Sequence, residues 1–224
     1  PPADHPQDGQ AEAGTGPGVT GRICLRWPDK RLRTPAAPVA QITDDTRAIW
    51  ADMIDTMEAM PGVGPGVGLA APQIGVMLRL AVVDASDTRG QAVRMANPEV
   101  LHASAQMRSH EEASPNLPGV FAKIDRPRAV TVRFQNADGV VEDRDFVGLW
   151  ATSVQHQIDH LDGRMYFDRL SKTKRDMLLR RARIALYDLD QARRREILAA
   201  LNGDRLVTWK GRMEAAAAGL GTDN

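Results

Sequence analysis

The spacing of hydrophobic residues predicts one helix and two short strands in the first half of the chain. Apolar residues recur every three or four positions from Asp44 or Asp45, either of which could cap the helix, to about Glu58. These apolar positions are Ile49, Met53, Ile54 and Met57. The continuous apolar run Leu80–Val83 instead suits a buried strand, and residues 97–101 suggest a second one.

The second half of the chain repeats both kinds of pattern. Apolar and polar residues alternate over Ala129–Phe134, which predicts a half-exposed strand. The segment Asn136–Gly139, with Asp-Gly at its tip, is typical of a hairpin turn, and it leads into a strand over Val140–Phe146. The mostly apolar segment Leu149–Leu161 predicts a central helix, which Asp162-Gly163 ends.

A long helix is predicted from Lys172 to Leu201 because apolar residues there keep a helical spacing. Its remaining positions are strongly basic, namely Lys172, Lys174, Arg175, Arg180, Arg181, Arg183, Arg193, Arg194 and Arg195. The chain therefore divides into an N-terminal extension (residues 1–22) predicted to be disordered, one domain (residues 23–201) and a C-terminal tail (residues 202–224).

Composition limits the expected function. The 224 residues carry a formal net charge of +0, so no overall positive field favours DNA, and an RNA partner would need a local basic patch. No apolar run approaches the roughly 18–20 residues that span a bilayer. The first residues lack the basic-then-apolar order of a secretory signal, so we do not expect secretion. The single cysteine, Cys24, permits no intrachain disulfide and is interpreted as a buried structural thiol.

The strongest local signal is the segment His156-Gln157-Ile158-Asp159-His160. Histidines four apart on a helix project from one face and can reach one metal ion. The hydrolase motif of this shape is H-E-x-x-H, whose glutamate transfers protons, but Gln157 stands at that position here. By itself the pair also suits an ordinary helix that happens to contain two histidines.

Three ordered motifs give the chain a resemblance to the peptide deformylase family. The first family motif, G-x-G-L-A-A-P-Q, is matched in full by Gly66–Gln73, and the third is H-E-x-x-H. The second motif, E-G-C-L-S, is matched in part around Glu112. Similar flanking segments extend the resemblance from about Cys24 to about Ile184; they are Trp27–Arg33, Leu117–Val120 and Asp125–Pro127.

The resemblance implies an α+β fold, in which small mixed and antiparallel sheets surround a central helix that carries His156 and His160, with a further helix at the C-terminus. It implies a hydrolase of protein biosynthesis that removes the formyl group from the N-terminal methionine of nascent polypeptides. A divalent metal, iron or else zinc or nickel, would activate a water for this attack. The expected location is the bacterial cytoplasm or an organellar matrix.

The family's functional positions can be assigned residue by residue. The resemblance implies that His156 and His160 are metal ligands and that Gln73 stabilises the developing oxyanion. Glu112 is expected to pair with Arg126 and so to brace the loop of the second motif. The substrate-binding positions implied by the resemblance are Gly68, Val67, Leu69 and Leu149, beside Gln155 or its neighbours.

Three positions depart from the family pattern. Counting back from Pro118-Gly119 places Ser114 at the cysteine ligand, and a serine hydroxyl stays protonated where a thiolate would bind the metal. Pro115 follows it and has no N–H to donate to an oxyanion. Gln157 replaces the glutamate and cannot accept and return a proton. We therefore expect an impaired or inactive enzyme, a pseudoenzyme.

Two alternatives remain open from the sequence. An active deformylase or other metallohydrolase could use a substitute ligand or base, for which the candidates are His110, Glu111, Glu112 and Asp159. A non-catalytic module could instead bind formyl-methionyl peptides or the ribosome. In the second case the basic C-terminal helix would contact rRNA phosphates, although the same residues also suit a solvated helix face.

Overall fold

A computed structural model describes residues 21–60 and 66–203, with side chains described only as far as residue 195 within the last helix. The predicted extension over residues 1–22 lies outside the described residues except for its last two positions. The tail predicted over residues 202–224 lies outside the described residues except for its first two positions. Residues 61–65, in the Gly/Pro-rich loop before Gly68, also lie outside them.

Two antiparallel sheets contain all seven strands of the described chain. The larger sheet has the order β1-β2-β3-β6-β7, and the smaller one is the hairpin β4-β5. The strands are β1 (Gly68–Ala70), β2 (Leu80–Val83), β3 (Val93–Ala103), β4 (Met107–Ser114), β5 (Leu117–Pro127), β6 (Ala129–Gln135) and β7 (Val141–Val147). β1 lies at an edge of the larger sheet, paired with β2 alone.

Three α-helices and three short 3-10 turns complete the described chain. The helices are α1 (Asp44–Glu58), α2 (Gly148–Leu161) and α3 (Lys172–Gly203); the 3-10 turns are Lys30–Arg33, Ala71–Ile74 and Tyr166–Arg169. The cap of α1 is Thr43 rather than Asp44 or Asp45, because Thr43 Oγ1 accepts from the Thr46 backbone N–H at 3.3 Å. No described helix is both long enough and apolar enough to cross a membrane.

The β1-β2 end of the larger sheet is buried on both faces, and each face receives a different helix. Alternate residues of a strand point to opposite sides, so Leu80 and Val82 of β2 join the core around α1, whereas Ala81 and Val83 join the core around α2. All four residues are fully buried. The continuous apolar run that predicted this strand reflects its position between two helices.

The β4-β5 hairpin packs against α3 to form a third hydrophobic cluster. Leu117, Val120 and Ile124 of β5 contact Leu178 and Ala182 of α3 there. The sequence patterns did not predict this hairpin, because β4 is largely polar and its outward face is exposed. The predicted α+β class, with small antiparallel sheets around a central helix and a helix at the C-terminus, is confirmed.

Candidate functional site

Helix α2 places His156 and His160 next to each other in a buried position. Their Nε2 atoms lie 3.1 Å apart. His156 is 8% exposed and His160 is 1% exposed. Two nitrogen ligands of one tetrahedral ion, each at 2.0–2.1 Å, would lie about 3.3 Å apart. The 3.1 Å spacing therefore suits a hydrogen bond between the two rings and also two ligands directed at one ion.

Glu112 of β4 orients His156. Its Oε2 lies 2.8 Å from His156 Nδ1, so the carboxylate accepts a hydrogen bond from the Nδ1–H and holds the ring in place. Burial raises the pKa of Glu112, but the hydrogen bonds and positive charges of Arg126 and His156 outweigh burial and lower it to about 2. Burial lowers the pKa of His160 well below its usual value, and the neighbouring charges of His156 and Arg126 add to this effect.

A ladder of charged side chains, buried except for Arg169, supports this helix from behind. Arg126 is fully buried and contacts Glu112 on one side and Asp159 of α2 on the other, with Nη1 donating to Asp159 Oδ2 at 2.8 Å. Arg169 donates to both oxygens of Asp159, each at 2.8 Å. The ladder of Glu112, Arg126, Asp159 and Arg169 thus fixes α2 through hydrogen-bonded ion pairs.

Ser114 belongs to a closed, uncharged hydrogen-bond network. Its Oγ donates to Asn116 Oδ1 at 3.1 Å and accepts from the Asn116 backbone N–H at 3.3 Å. Asn116 is fully buried, and the sequence analysis did not identify it as a site residue. Its position in the second motif, two residues after Ser114, could have indicated it. The hydroxyl at this position is therefore neutral and already engaged with a neighbouring side chain.

Gln73 takes part in the same network. Its Oε1 accepts from the Ala70 backbone N–H at 2.8 Å, while Nε2 donates to Asn116 Oδ1 at 2.8 Å and lies 3.4 Å from Ser114 Oγ. Both ends of the amide thus have protein partners. Pro115, half-buried in the turn between β4 and β5, adds no backbone donor beside them.

Gln157 lies over the backbone of Gly68. A Cβ added to Gly68 would come 2.6 Å from Gln157 Nε2 and 2.5 Å from Ser153 Oγ, so a larger residue would displace both side chains. Gln157 is 4% exposed, and its buried Oε1 has no hydrogen-bond partner among the described residues. Ser153 Oγ donates to the Val67 carbonyl at 2.8 Å, which joins α2 to the start of β1.

The residues expected around a substrate slot separate into two groups. Val67 is 36% exposed and Leu149 is half-buried, so both can face a ligand. Leu69 is instead fully buried in the core around α1, so it has no exposed surface that could face a ligand there. Gln155 is also buried, and its Nε2 donates to the Pro127 carbonyl at 3.0 Å.

The described residues do not fit a metal site with three protein ligands. Residues 21–60 and 66–203 contain no group of three His, Cys, Asp or Glu side chains arranged to hold an ion. The two imidazoles converge, but the position expected for the third ligand is the neutral Ser114 hydroxyl.

The substitute ligands and bases considered from the sequence are placed or engaged elsewhere. Glu112 and Asp159 are both paired with Arg126. Glu111 is exposed on the other face of β4, and His110 lies two residues before Glu112 along that strand, about 6.6 Å further on. Cys24 packs against the α1 core, where burial raises the pKa of its thiol.

Comparison with known proteins identifies close relatives of this architecture. Residues 22–176 match the family model described as Polypeptide deformylase. The peptide deformylase of Afipia carboxidovorans is 41% identical over 162 residues, which cover 71% of this chain and 92% of that protein. A protein of Bradyrhizobium diazoefficiens named peptide deformylase-like is 39% identical over 163 residues, covering 73% of this chain and 93% of the relative.

Solved structures agree with the sequence comparison and confirm the fold expected from the resemblance. A peptide deformylase from Legionella pneumophila superposes with a TM-score of 0.69 at 36% identity, over 77% of this chain and 98% of that one. A peptide deformylase from Ehrlichia chaffeensis in complex with actinonin superposes with a TM-score of 0.67 at 29% identity, over 73% and 96% of the two chains.

Proposed function

The chain belongs to the peptide deformylase family, and we propose that it binds the N-terminal end of formyl-methionyl peptides without hydrolysing the formyl group. The family is metal-dependent and acts on formylated nascent peptides. This member differs from the family pattern in the side chains expected at the reaction centre. Hydrolysis of the formyl group is therefore proposed to be lost, while the fold and peptide binding are retained.

The observation that carries this proposal is the position of Gln157. Its carboxamide lies between the two histidines in sequence and over Gly68 in space, where the family resemblance expects a carboxylate. An amide cannot take a proton from an attacking water and return it to the leaving amine. General acid–base catalysis of this kind contributes roughly 10²–10⁴-fold in rate.

Oxyanion stabilisation is weakened as well. Pro115 has no N–H, and the Gln73 amide already donates to Asn116. Loss of one preorganised donor typically costs about 2.7–4 kcal/mol of transition-state stabilisation. The effects of groups that act as a unit are not additive, but each of these losses acts on the same chemical step.

The edge of β1 supports retention of peptide binding. The Val67 carbonyl accepts from the Asp84 N–H and so faces β2. Backbone groups alternate in direction along a strand, so the N–H and C=O of Gly68 face the open side of the sheet. An extended peptide can add there as a further strand, with Val67 and Leu149 beside its first side chain.

A formate-release assay tests the proposal. The purified full chain, supplied with Fe(II) or Ni(II), should release no formate from formyl-Met-Ala-Ser, whereas Ser114→Cys/Pro115→Leu/Gln157→Glu should release it. Binding of the same peptide to the parent, measured by calorimetry, should remain detectable. Clear turnover by the parent, or absence of peptide binding to it, would refute the proposal.

One observation favours a second candidate, an active metallohydrolase. The two Nε2 atoms at 3.1 Å keep the spacing of a ligand pair, and waters could complete the coordination of an iron, zinc or nickel ion there. Formate release by the parent that depends on added metal would support this candidate.

The basic surface of α3 supports a ribosome contact in the bacterial cytoplasm or an organellar matrix. Arg180, Arg181 and Arg183 are exposed on this helix, although Asp176 and Asp188 dilute the patch. Contacts to rRNA phosphates weaken as salt rises. Pelleting with ribosomes at low salt that disappears at higher salt would support the contact, and absence of pelleting at low salt would exclude it.

A further inference from the structure

A basic pocket lies behind α2, outside the histidine site. This arginine pocket has a volume of about 470 Å³ and is lined by Arg33, Asp159, Arg164, Met165, Asp168 and Arg169. Three of the six lining residues carry guanidinium groups. The proposed peptide function uses none of those three side chains in contact with a ligand.

Both carboxylates of the pocket are already satisfied. Asp159 accepts from Arg126 and from both donors of the Arg169 fork. Asp168 is paired with Arg33, accepts from the Met165 backbone N–H at 2.9 Å and lies 3.9 Å from Arg175. Neither acid therefore has an oxygen that needs a further cation.

The guanidinium groups in and around the pocket outnumber the carboxylates. The pocket, together with the groups that its two carboxylates and Arg126 contact, contains five arginines, and they are Arg33, Arg126, Arg164, Arg169 and Arg175. It contains three carboxylates, which are Glu112, Asp159 and Asp168. The formal excess is two positive charges, in a chain whose net charge is +0.

Two of the pocket arginines are held in place before any ligand arrives. Arg33 is paired with Asp168, and its guanidinium carbon lies 4.7 Å from the Trp27 ring centroid and 5.3 Å from that of Phe167. Arg169 is held by two hydrogen bonds to Asp159. Fixed guanidinium groups bind oxyanions well because little side-chain entropy is lost on binding.

Arg164 is the third pocket arginine. It is exposed and makes no side-chain hydrogen bond or ion pair with any residue that the structure describes. We propose that the arginine pocket binds a phosphate-class dianion, with Arg164 closing on it from the open side. Guanidinium groups match phosphate oxygens in geometry as well as in charge.

Inorganic phosphate is the probe for a direct test on the full chain. Calorimetry and thermal unfolding are followed as phosphate is raised, with sodium chloride adjusted to keep ionic strength constant. A ligand of the folded state raises the unfolding temperature saturably. We expect saturable binding by the parent and binding at least tenfold weaker in Arg164→Gln, which should fold normally because this side chain has no protein partner.

Arg94→Gln is the matched control, since Arg94 is an exposed arginine of β3 outside the pocket. This variant should bind phosphate like the parent. A parallel titration with adenosine monophosphate distinguishes a nucleotide phosphate from free phosphate as the ligand. Tighter binding of the nucleotide than of free phosphate would identify a nucleotide ligand. Equal binding of the two would identify an isolated phosphate ion. No saturable phosphate effect, or an equal effect in Arg164→Gln and the parent, would overturn the proposal.

Discussion

Arg126 donates to both carboxylate oxygens of Glu112, from Nε at 2.5 Å and from Nη2 at 2.8 Å, in a position where the two side chains are 0% and 4% exposed. A guanidinium and a carboxylate in this bidentate geometry form one of the stronger ion pairs available to a protein. Because Glu112 also holds His156, this pair connects the stability of the fold to the geometry of the histidine site.

Replacement of Arg126 should therefore destabilise the protein strongly. Arg126→Met leaves Glu112 and Asp159 buried, with Arg169 as the only remaining cation on Asp159. An uncompensated buried charge costs about 3–5 kcal/mol, which urea unfolding at pH 7 would measure. In Arg133→Met, which removes the exposed pair with Asp143, we expect a much smaller loss because solvent screens an exposed ion pair. Equal losses in the two variants would contradict this account of the ladder.

Gly163 should tolerate alanine less well than another glycine of similar backbone conformation. Gly163 has φ +72°, and a Cβ there would lie 2.8 Å from the Arg33 carbonyl oxygen; Gly90 has φ +75° and open space around it. Gly90→Ala should cost about 1–2 kcal/mol from backbone strain alone.

Gly163→Ala should cost at least a further 1–3 kcal/mol because backbone atoms must move. Thermal and urea unfolding of both variants would measure the difference. A loss in Gly163→Ala no larger than that in Gly90→Ala would show that the contact with Arg33 can relax freely.

Gly68→Ala should abolish peptide binding while leaving the fold largely intact. The new methyl group would displace Gln157 and Ser153, whose side-chain ends approach Gly68 most closely, and would also obstruct the open edge of β1. Calorimetry with formyl-Met-Ala-Ser would detect the lost affinity, and circular dichroism would verify folding. Ser153→Ala is the control, because it removes the hydroxyl without adding atoms over the edge. Unchanged affinity in Gly68→Ala would place the peptide elsewhere.

Asp84 should give the protein a stability increment that depends on pH. Burial raises the pKa of this carboxyl. Hydrogen bonds from Ser86 and Gln91 and the charge of Arg89 lower the pKa by a larger amount, so the net shift is downward. A depressed folded-state pKa stabilises the fold above the unfolded value of about 3.9, and the increment is lost as pH falls through the folded value.

Asp84→Asn, compared with the parent by urea unfolding, measures this increment. The variant should be less stable at pH 7 by about 1.5–3 kcal/mol, the usual range for hydrogen bonds to a charged group. The gap should narrow as the pH falls below about 4. A gap that stays constant from pH 7 to pH 3 would show that ionisation of Asp84 is irrelevant to stability.

The sequence predicted those elements whose hydrophobic period is set by burial. Leu80–Val83 and Leu149–Leu161 are buried on nearly every side, so their apolar content identified a strand and a helix within one residue of the observed bounds. β4 was missed because only Glu112 and Ser114 are buried along it, and both are polar. Its residues form a strand through pairing with β5, a contact that local periodicity does not record.

Motif positions indicated which residues meet in the site but not what they contact. The i, i+4 spacing placed His156 and His160 on one helix face, since that geometry is local. The engagement of Gln73 with Asn116 depends on three separate segments approaching one another, and no single stretch of sequence contains it. For the same reason, the unpaired carboxamide oxygen of Gln157 became visible only in the folded structure.

The ladder of Glu112, Arg126, Asp159 and Arg169 also bears on how such a protein can diverge. It anchors the histidine helix through protein atoms alone, so the helix keeps its place whichever ion or none lies between the imidazoles. The side chains at positions 114, 115 and 157 can then change without unfolding the protein. The proposed loss of hydrolysis therefore requires no loss of the fold.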